Sequence, residues 1–182
     1  KLFATRVLNG NIAMRNEYMA ELQSIGWASI LDANRLKADA GLEQSNRMLE
    51  QARLAAVTMC EDMRPRSIAN ARSVAAQLKL SERQKNALVE GFILGLDRNA
   101  ATTETLCRME ISILDEVAAI VSIFARDTAW EAQDGDYLFS DDRYVQEFNS
   151  RLQNVELLTK TQTDLQRKSM TQAADKFRTL EF

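Results

Sequence analysis

Apolar residues recur every three or four positions along most of the chain, the spacing that places side chains on one face of an α-helix. The first such run predicts one long helix over residues 12–63, although Gly26 and Gly41 each weaken it by about 1 kcal/mol relative to alanine. A helix of this length would span roughly 75 Å, so we expect either a break near a glycine or an elongated molecule. Pro65 should end the helix, because a residue that precedes proline avoids the α-helical region. The residues that predict its buried face begin with Leu8, Ile12, Met19 and Leu22.

A middle helical layer is predicted over residues 67–130. Ser81 and Gln84 form the capping-box pattern that starts one of its helices. Another helix begins at Thr102 or Thr103 and is the most apolar of the chain, so it should form the centre of the bundle. Its apolar residues follow one another at steps of three and four: Leu106, Met109, Ile113, Val117, Ile120 and Phe124.

The last helix is predicted over residues 141–182, after an acidic turn over residues 131–140 in which Asp134 and Gly135 reverse the chain. Seven-residue recurrence along this helix predicts a thin coiled-coil seam with polar residues at two core positions: Phe148, Val155, Gln162 and Ser169, joined by Leu158 and Leu165. Apolar residues are sparse beyond Leu165, so this end gains little from its own burial and is expected to need a partner.

Three consecutive residues before the last helix are too apolar for an exposed loop. We expect them to plug one end of the bundle or to form an aromatic contact for a partner. Together with the last helix they give the candidate partner-contact residues Tyr137, Leu138, Phe139, Leu158, Leu165 and Phe177.

Composition supports the helical interpretation. The 182 residues include only six glycines and one proline, which is too few for the turns of a β-sandwich or a βαβ fold of this size. We therefore predict an all-α fold with a single domain over residues 1–182. About five helices should form an elongated antiparallel bundle, in which the long first and last helices are coiled-coil-like.

Charge and hydropathy argue against two classes of partner. The net charge is −3, with no large basic excess to neutralise a phosphate backbone, so general nucleic-acid binding is disfavoured. The most apolar stretch, Ile111 to Ala125, is interrupted by Asp115 and Glu116 and is shorter than the roughly 20 residues that cross a bilayer. No membrane span is expected.

One short stretch resembles the start of a LuxR-type helix-turn-helix, which would imply DNA binding. The positions that carry the resemblance are Leu80, Ser81, Arg83, Gln84 and Leu88, where that family places Leu, Thr or Ser, Arg, Glu or Gln, and Leu. The resemblance ends there, because the next glycine comes one position late and no recognition helix with the family's pattern follows. A capping box ahead of any amphipathic helix produces the same residues.

The sequence offers little metal or catalytic chemistry. It contains no histidine, which removes the commonest general base and the imidazole ligands of helical di-iron sites. A calcium loop starting at Asp134 would need glycine at position 139 and glutamate at position 145, where the chain has Phe139 and Val145. We therefore expect no cofactor and no metal.

Two pairs of small residues bear on helix packing. Cys60 and Cys107 are either two buried thiols or one bridge that staples two helices, and a bridge would imply an oxidising compartment. Gly91 and Gly95 are four residues apart in a predicted helix, and we expect them to pack closely against another helix.

These patterns favour a non-enzymatic structural or scaffolding protein that works through helix–helix association in a multi-subunit assembly, such as a secretion apparatus, a virion part or an adaptor. Its partner would be another protein or a second copy, bound through the long helices. The alternative is a small-molecule-binding bundle of the sensory type, with a ligand near Trp27, Trp130 or Tyr137. The compartment is left open between the cytoplasm and export after processing.

Overall fold

The computed structural model describes residues 2–39 and 41–179, and the side chains within them apart from residue 170 and residues 173–179. It is 83% helical, which confirms the predicted all-α class. The described elements are α1 (Leu2–Ile25), a 3-10 turn (Trp27–Ser29), α2 (Ala33–Ala38), α3 (Glu43–Ala76), α4 (Glu82–Arg98), α5 (Ala100–Arg126), β1 (Glu131–Gln133), β2 (Asp136–Leu138) and α6 (Asp142–Thr179).

Four long helices run alternately up and down. α1 packs antiparallel to α3, α3 packs antiparallel to α5, and α5 packs antiparallel to α6. Ion pairs between exposed or half-buried side chains join each neighbouring pair of helices: Glu17–Arg66, Arg53–Asp115 and Glu116–Arg151. α4 lies against the second half of α3 and leads, through Asn99, into α5.

The segment predicted as one long helix over residues 12–63 is interrupted, and the break lies near Gly26, which is one of the two outcomes expected from the sequence. α1 already starts at Leu2 and ends at Ile25, and Gly26 then adopts a φ of 87°, a left-handed conformation that glycine tolerates. The Asp39 carboxylate accepts a hydrogen bond from the amide of Ser45 at 2.7 Å and caps the start of α3. The three-or-four spacing continued across this break because residues of the connection, such as Ile30, also enter the core.

Pro65 does not end a helix, contrary to the prediction. It lies inside α3, which continues to Ala76 and so absorbs the start of the predicted middle layer. Proline removes one backbone hydrogen bond, but Pro65 is on the exposed side of the helix. The buried face beyond it packs against α1 and compensates for the loss: Ser67, Ala71, Val74 and Ala75.

Two other helix predictions are confirmed. Ser81 and Gln84 form the capping box at the start of α4. α5 starts at Ala100, slightly before the predicted threonines, and supplies six large apolar side chains to the buried core: Leu114, Val117, Ile120, Val121, Ile123 and Phe124. Nowhere in residues 2–39 and 41–179 is a helix long and apolar enough to cross a membrane.

The acidic segment between α5 and α6 is a β-hairpin rather than a simple turn. β1 pairs with β2 in antiparallel register, with Ala132 opposite Tyr137. Asp134 and Gly135 form the predicted turn, and both have positive φ, as a two-residue hairpin turn requires. The strands alternate, so that Ala132 and Tyr137 point inward while the acids point to solvent.

A disulfide joins the middle of the bundle. Cys60 on α3 and Cys107 on α5 are bonded, with their Cα atoms 5.9 Å apart. Of the two states that the sequence left open, the bridge is therefore the one found, and two separate thiols are not.

Candidate interaction surface

An aromatic cluster, which we call the aromatic plug, closes one end of the bundle. Phe124 of α5 is at its centre, with its ring centroid 4.7 Å from that of Trp130 and 5.5 Å from that of Phe139. The plug consists of Phe124, Trp130, Tyr137, Phe139 and Phe148. It brings together side chains from α5, the hairpin and α6, and so ties these three elements to one another.

The hairpin residues predicted as partner contacts divide between the inside and the outside. Tyr137 and Phe139 pack in the plug, whereas Leu138 points outward and is 46% exposed. The Tyr137 hydroxyl donates a hydrogen bond to the carbonyl of Leu31. Burial, with the nearby negative charge of Asp32, raises the pKa of Tyr137, so the residue stays a neutral donor. Of the three, only Leu138 has a side chain directed away from the plug.

Polar contacts hold the hairpin against the rest of the protein. The Lys37 ammonium group lies 2.5 Å from the carbonyl of Trp130 and 4.9 Å from the centre of its ring. The buried carboxylate of Asp127 accepts hydrogen bonds from the hydroxyl and the amide of Ser140. Burial alone would raise the pKa of Asp127, but the hydrogen bonds from Ser140 and from the amide of Ala129 outweigh burial and lower it. This carboxylate is therefore a charged anchor for the hairpin.

The predicted seam of α6 packs against α5. Leu158 and Leu165 are half-buried, and Leu152 and Val155 contact the main core cluster. The side chain of Phe177 lies outside the described side chains. The polar seam position at Gln162 is explained by a hydrogen bond, because its Nε2 lies 2.6 Å from a carboxylate oxygen of Glu110.

Glu110 is the centre of a polar network across three helices. Its other carboxylate oxygen accepts a hydrogen bond from the hydroxyl of Tyr18 at 2.6 Å. Tyr18 is 6% exposed, and burial, followed by the hydrogen bond to Glu110 and its charge, raises the pKa of Tyr18. The network therefore joins α1, α5 and α6. Sequence reasoning missed it, because no local pattern shows which residues of separate helices face each other.

One side of the bundle, between α1 and α6, has little backbone contact in the described residues, and we call it the open side. α1 packs along α3 and α6 packs along α5, but away from the plug α1 and α6 meet through polar contacts: the Glu110 network and a 2.9 Å hydrogen bond from Arg15 to Gln166. Among the side chains that the structure describes, these hydrogen bonds connect α1 to α6.

Three large apolar side chains on α1, which we call the α1 ridge, border this open side. They are Leu8, Ile12 and Met19, which are 50%, 46% and 53% exposed. Arg15 completes their three-or-four spacing and reaches α6, which places the ridge on the side of α1 that faces α6. The sequence predicts these three residues, together with Leu22, on a buried face. In the structure Leu22 is buried, but the other buried residues of α1 are Val7 and Tyr18, each of which immediately precedes a ridge residue.

Two open grooves of the described chain lie elsewhere. One, of about 310 Å³, separates α3 from α4 and is lined by residues that include Arg72, Lys85 and Ile93. The other, of about 290 Å³, lies between α1 and α3. Neither touches the ligand position suggested by the sequence, where Trp130 and Tyr137 fill the space with their own rings.

Metal-binding chemistry is not evident in the described residues. Within residues 2–39 and 41–179, no three or more cysteine, aspartate or glutamate side chains are grouped so that they could hold a metal ion. We take the α1 ridge, together with the adjacent Glu110 network, as the candidate site. Comparisons with protein-family models, with curated proteins and with solved structures found no match to this chain.

Proposed function

We propose that this protein is a non-enzymatic structural component of a multi-subunit assembly and that it binds an amphipathic helix of a partner protein along the α1 ridge. The observation that carries the proposal is the exposure of Leu8, Ile12 and Met19 on one side of α1, beside the open side of the bundle. A partner helix placed there would cover the exposed apolar side chains beside the side of the bundle where α1 and α6 pack little against each other. Helices with an apolar stripe bind in this way in helix-in-groove recognition.

The energy available from the ridge fits a contact within an assembly. Burying a large apolar side chain completely contributes about 1.5–3 kcal/mol. The three ridge residues are already about half-buried, so a partner would gain roughly 3 kcal/mol from them. Association costs more than this, so the ridge supports one contact among several rather than a tight complex of two chains.

The rest of the molecule supports a fixed presentation of the ridge. Asn70 of α3 donates a hydrogen bond to the carbonyl of Val7 at 3.0 Å, and Tyr18 is tied to Glu110. α1 is thus held at two levels by neighbouring helices. The Cys60–Cys107 bridge also favours an oxidising compartment as the place where the assembly forms.

Site-specific photo-crosslinking in the native cells would test the proposal. A photoreactive residue at Ile12 or Met19 is expected to give one defined protein adduct. The same residue at Ala13, which is exposed on another side of α1, is the matched control and should give none. Equal adducts at all three positions, or none at the ridge, would overturn the proposal.

A stability measurement separates a contact surface from a part of the core. The triple variant Leu8→Ser, Ile12→Ser and Met19→Ser should lower the melting temperature by no more than roughly 10 °C, because the buried halves of these side chains contribute about 3 kcal/mol. It should also abolish the adduct formed from a photoreactive residue at nearby Arg15. A much lower melting temperature would contradict the proposal, since the ridge would then belong to the core of the isolated chain.

A further inference from the structure

An exposed face of α4, beside the groove between α4 and α3, carries an apolar residue between two unpaired charges of opposite sign. Leu94 is 56% exposed, and Glu90 and Arg98 lie one turn before it and one turn after it on the same face. Neither charge forms an ion pair or a hydrogen bond with any other described residue. This face is thus apolar at its centre and oppositely charged at its two ends.

The same helix is weakly held by its own chain. No residue of α4 is buried, in contrast to the other long helices of the described chain, and the groove of about 310 Å³ lies between α4 and α3. A Cβ atom built at Gly91 or Gly95 would meet nothing within 4 Å. The prediction that these two glycines pack against another helix is therefore wrong within the described part of the chain, and they leave room beside Leu94.

We infer that α4 pairs with α4 of a second copy of this chain, antiparallel and about a two-fold axis at Leu94. A two-fold axis at this point sets Leu94 against its own copy. It also sets Glu90 of each chain at the level of Arg98 of the other chain, so that each unpaired charge gains one opposite partner and the interface contains two ion pairs. Gly91 carries no side chain, which lets the two helices approach closely around the leucines.

The charge pattern decides in favour of a second copy. A face with acid at one end and base at the other is complementary to itself when it is reversed, which an antiparallel two-fold pair does. The inference rests on the proposed function, because it adds a self-association contact to the same kind of assembly, but it uses a different surface from the α1 ridge. The contact is small, since α4 has 17 residues and is about 25 Å long, so we expect a weak dimer.

Charge reversal and restoration would test the pairing by sedimentation equilibrium, with the chain at up to about 1 mM, where a weak dimer is populated. The parent is expected to dimerise. Glu90→Arg alone, or Arg98→Glu alone, places like charges opposite each other and should weaken the dimer at least tenfold. The double variant with both changes should return the dimer to within about threefold of the parent, and added salt should weaken the parent dimer.

The matched control is the same exchange at Glu104 and Arg108, an exposed pair four residues apart on α5 whose side chains contact each other at 3.9 Å. It should leave the dimer unchanged. A parent that is monomeric at about 1 mM, or a double exchange at Glu90 and Arg98 that fails to restore the dimer while the helical content and melting temperature stay at parent values, would overturn the inference.

One further outcome separates the two proposals. If the triple serine variant of the α1 ridge abolishes self-association while the Glu90 and Arg98 variants do not change it, then the copies meet through the ridge. The α4 pairing would be overturned in that case, and the proposed function would stand. If the photo-crosslinks at Ile12 and Met19 fail while the charge exchange restores dimerisation, the α4 pairing holds without the ridge contact.

Discussion

The hydroxyl oxygen of Tyr18 on α1 lies 2.6 Å from a carboxylate oxygen of Glu110 on α5. The second oxygen of the same carboxylate is bound by Gln162 of α6. One side chain therefore accepts donors from two helices that have little backbone contact with each other. Hydrogen bonds to a charged group contribute more than those between neutral groups, so Glu110 links α1 to α6 next to the α1 ridge.

Removing the Tyr18 hydroxyl should destabilise the protein. Tyr18→Phe is expected to lower the free energy of unfolding by about 1–3 kcal/mol, because a charged acceptor loses a buried donor. Urea denaturation would measure it. Tyr144→Phe is the control, since its hydroxyl lies at the surface, 3.4 Å from the carbonyl of Arg126, and its loss should cost less than about 0.5 kcal/mol. Equal losses for the two variants would mean that the network contributes no special stability.

Stability should also fall in alkali. The pKa values of Tyr18 and Tyr137 are raised from the ordinary value of 10.0, in both cases first by burial. The hydrogen bond to Glu110 and the charge of Glu110 add to the effect at Tyr18, and the charge of Asp32 adds to it at Tyr137. The folded protein thus keeps two protons that the unfolded chain loses near pH 10. Their contribution to stability is complete below pH 10 and is lost progressively as the pH rises above it.

Urea midpoints measured at several pH values above and below 10 would show this loss. Tyr18→Phe should flatten the decline above pH 10 relative to the parent, since one of the two raised groups is gone. An identical decline in the parent and in Tyr18→Phe would show that Tyr18 ionises alike in the folded and unfolded states.

Features of the fold that depend on composition or on neighbouring residues could be predicted from the sequence. The scarcity of glycine and proline gave the all-α class, and the Ser81–Gln84 capping box and the apolar stripe of α5 are both found. The break at Gly26 was only an alternative, because apolar spacing continues through it. Pro65 was assigned the wrong role, since the packing of α3 beyond it outweighs one missing hydrogen bond.

The candidate site depends on relations between helices, which a single sequence does not display. Ile12 and Met19 fit the spacing of a buried face as well as Val7 and Tyr18 do, and only the position of α3 selects between them. The aromatic plug was partly predicted, because Tyr137 and Phe139 were too apolar for a loop. Leu138 shares their composition but is turned outward by the alternation of β2.

Truncation to alanine should affect stability differently at Leu138, the last residue of β2, and at Phe139, the residue that follows it. Phe139→Ala removes a ring that stacks on Phe124, so it should cost about 3 kcal/mol of unfolding free energy. Leu138→Ala, one residue earlier and pointing to solvent, should change stability by less than about 0.5 kcal/mol. Urea denaturation of both variants checks this. A costly Leu138→Ala with a neutral Phe139→Ala would show that the hairpin faces are reversed.

Two helical glycines should respond to alanine with opposite signs. At Gly10 a Cβ atom would lie 2.7 Å from Cγ of Asn70, whose side chain binds the carbonyl of Val7. Gly10→Ala should therefore destabilise the protein by about 1–2 kcal/mol, because the cost of overpacking exceeds the gain in helix propensity of about 0.5–1 kcal/mol. Gly91→Ala, with open space around its Cβ, should stabilise it by about 0.5–1 kcal/mol when it is measured at low micromolar concentration.

A second substitution, at Asn70, tests whether the clash between Asn70 and the new Cβ atom causes the loss of stability in Gly10→Ala. Adding Asn70→Ala to Gly10→Ala removes the obstructing amide, so the two changes should be non-additive, with the double variant more stable than the sum of the single effects predicts. Strict additivity in the urea denaturation of all three variants would contradict the close approach of α1 to α3 at this point.

Reduction of the Cys60–Cys107 bridge should lower stability without unfolding the bundle. The bridge closes a loop of 47 residues, and constraint of the unfolded chain over such a loop contributes about 4 kcal/mol in the chain-entropy description. The urea midpoint should therefore fall when a reductant is added. The double variant Cys60→Ser and Cys107→Ser should have the urea midpoint of the reduced parent, and adding reductant should not change that midpoint. Two titratable thiols in the untreated parent, with a midpoint that reductant does not change, would exclude the bridge.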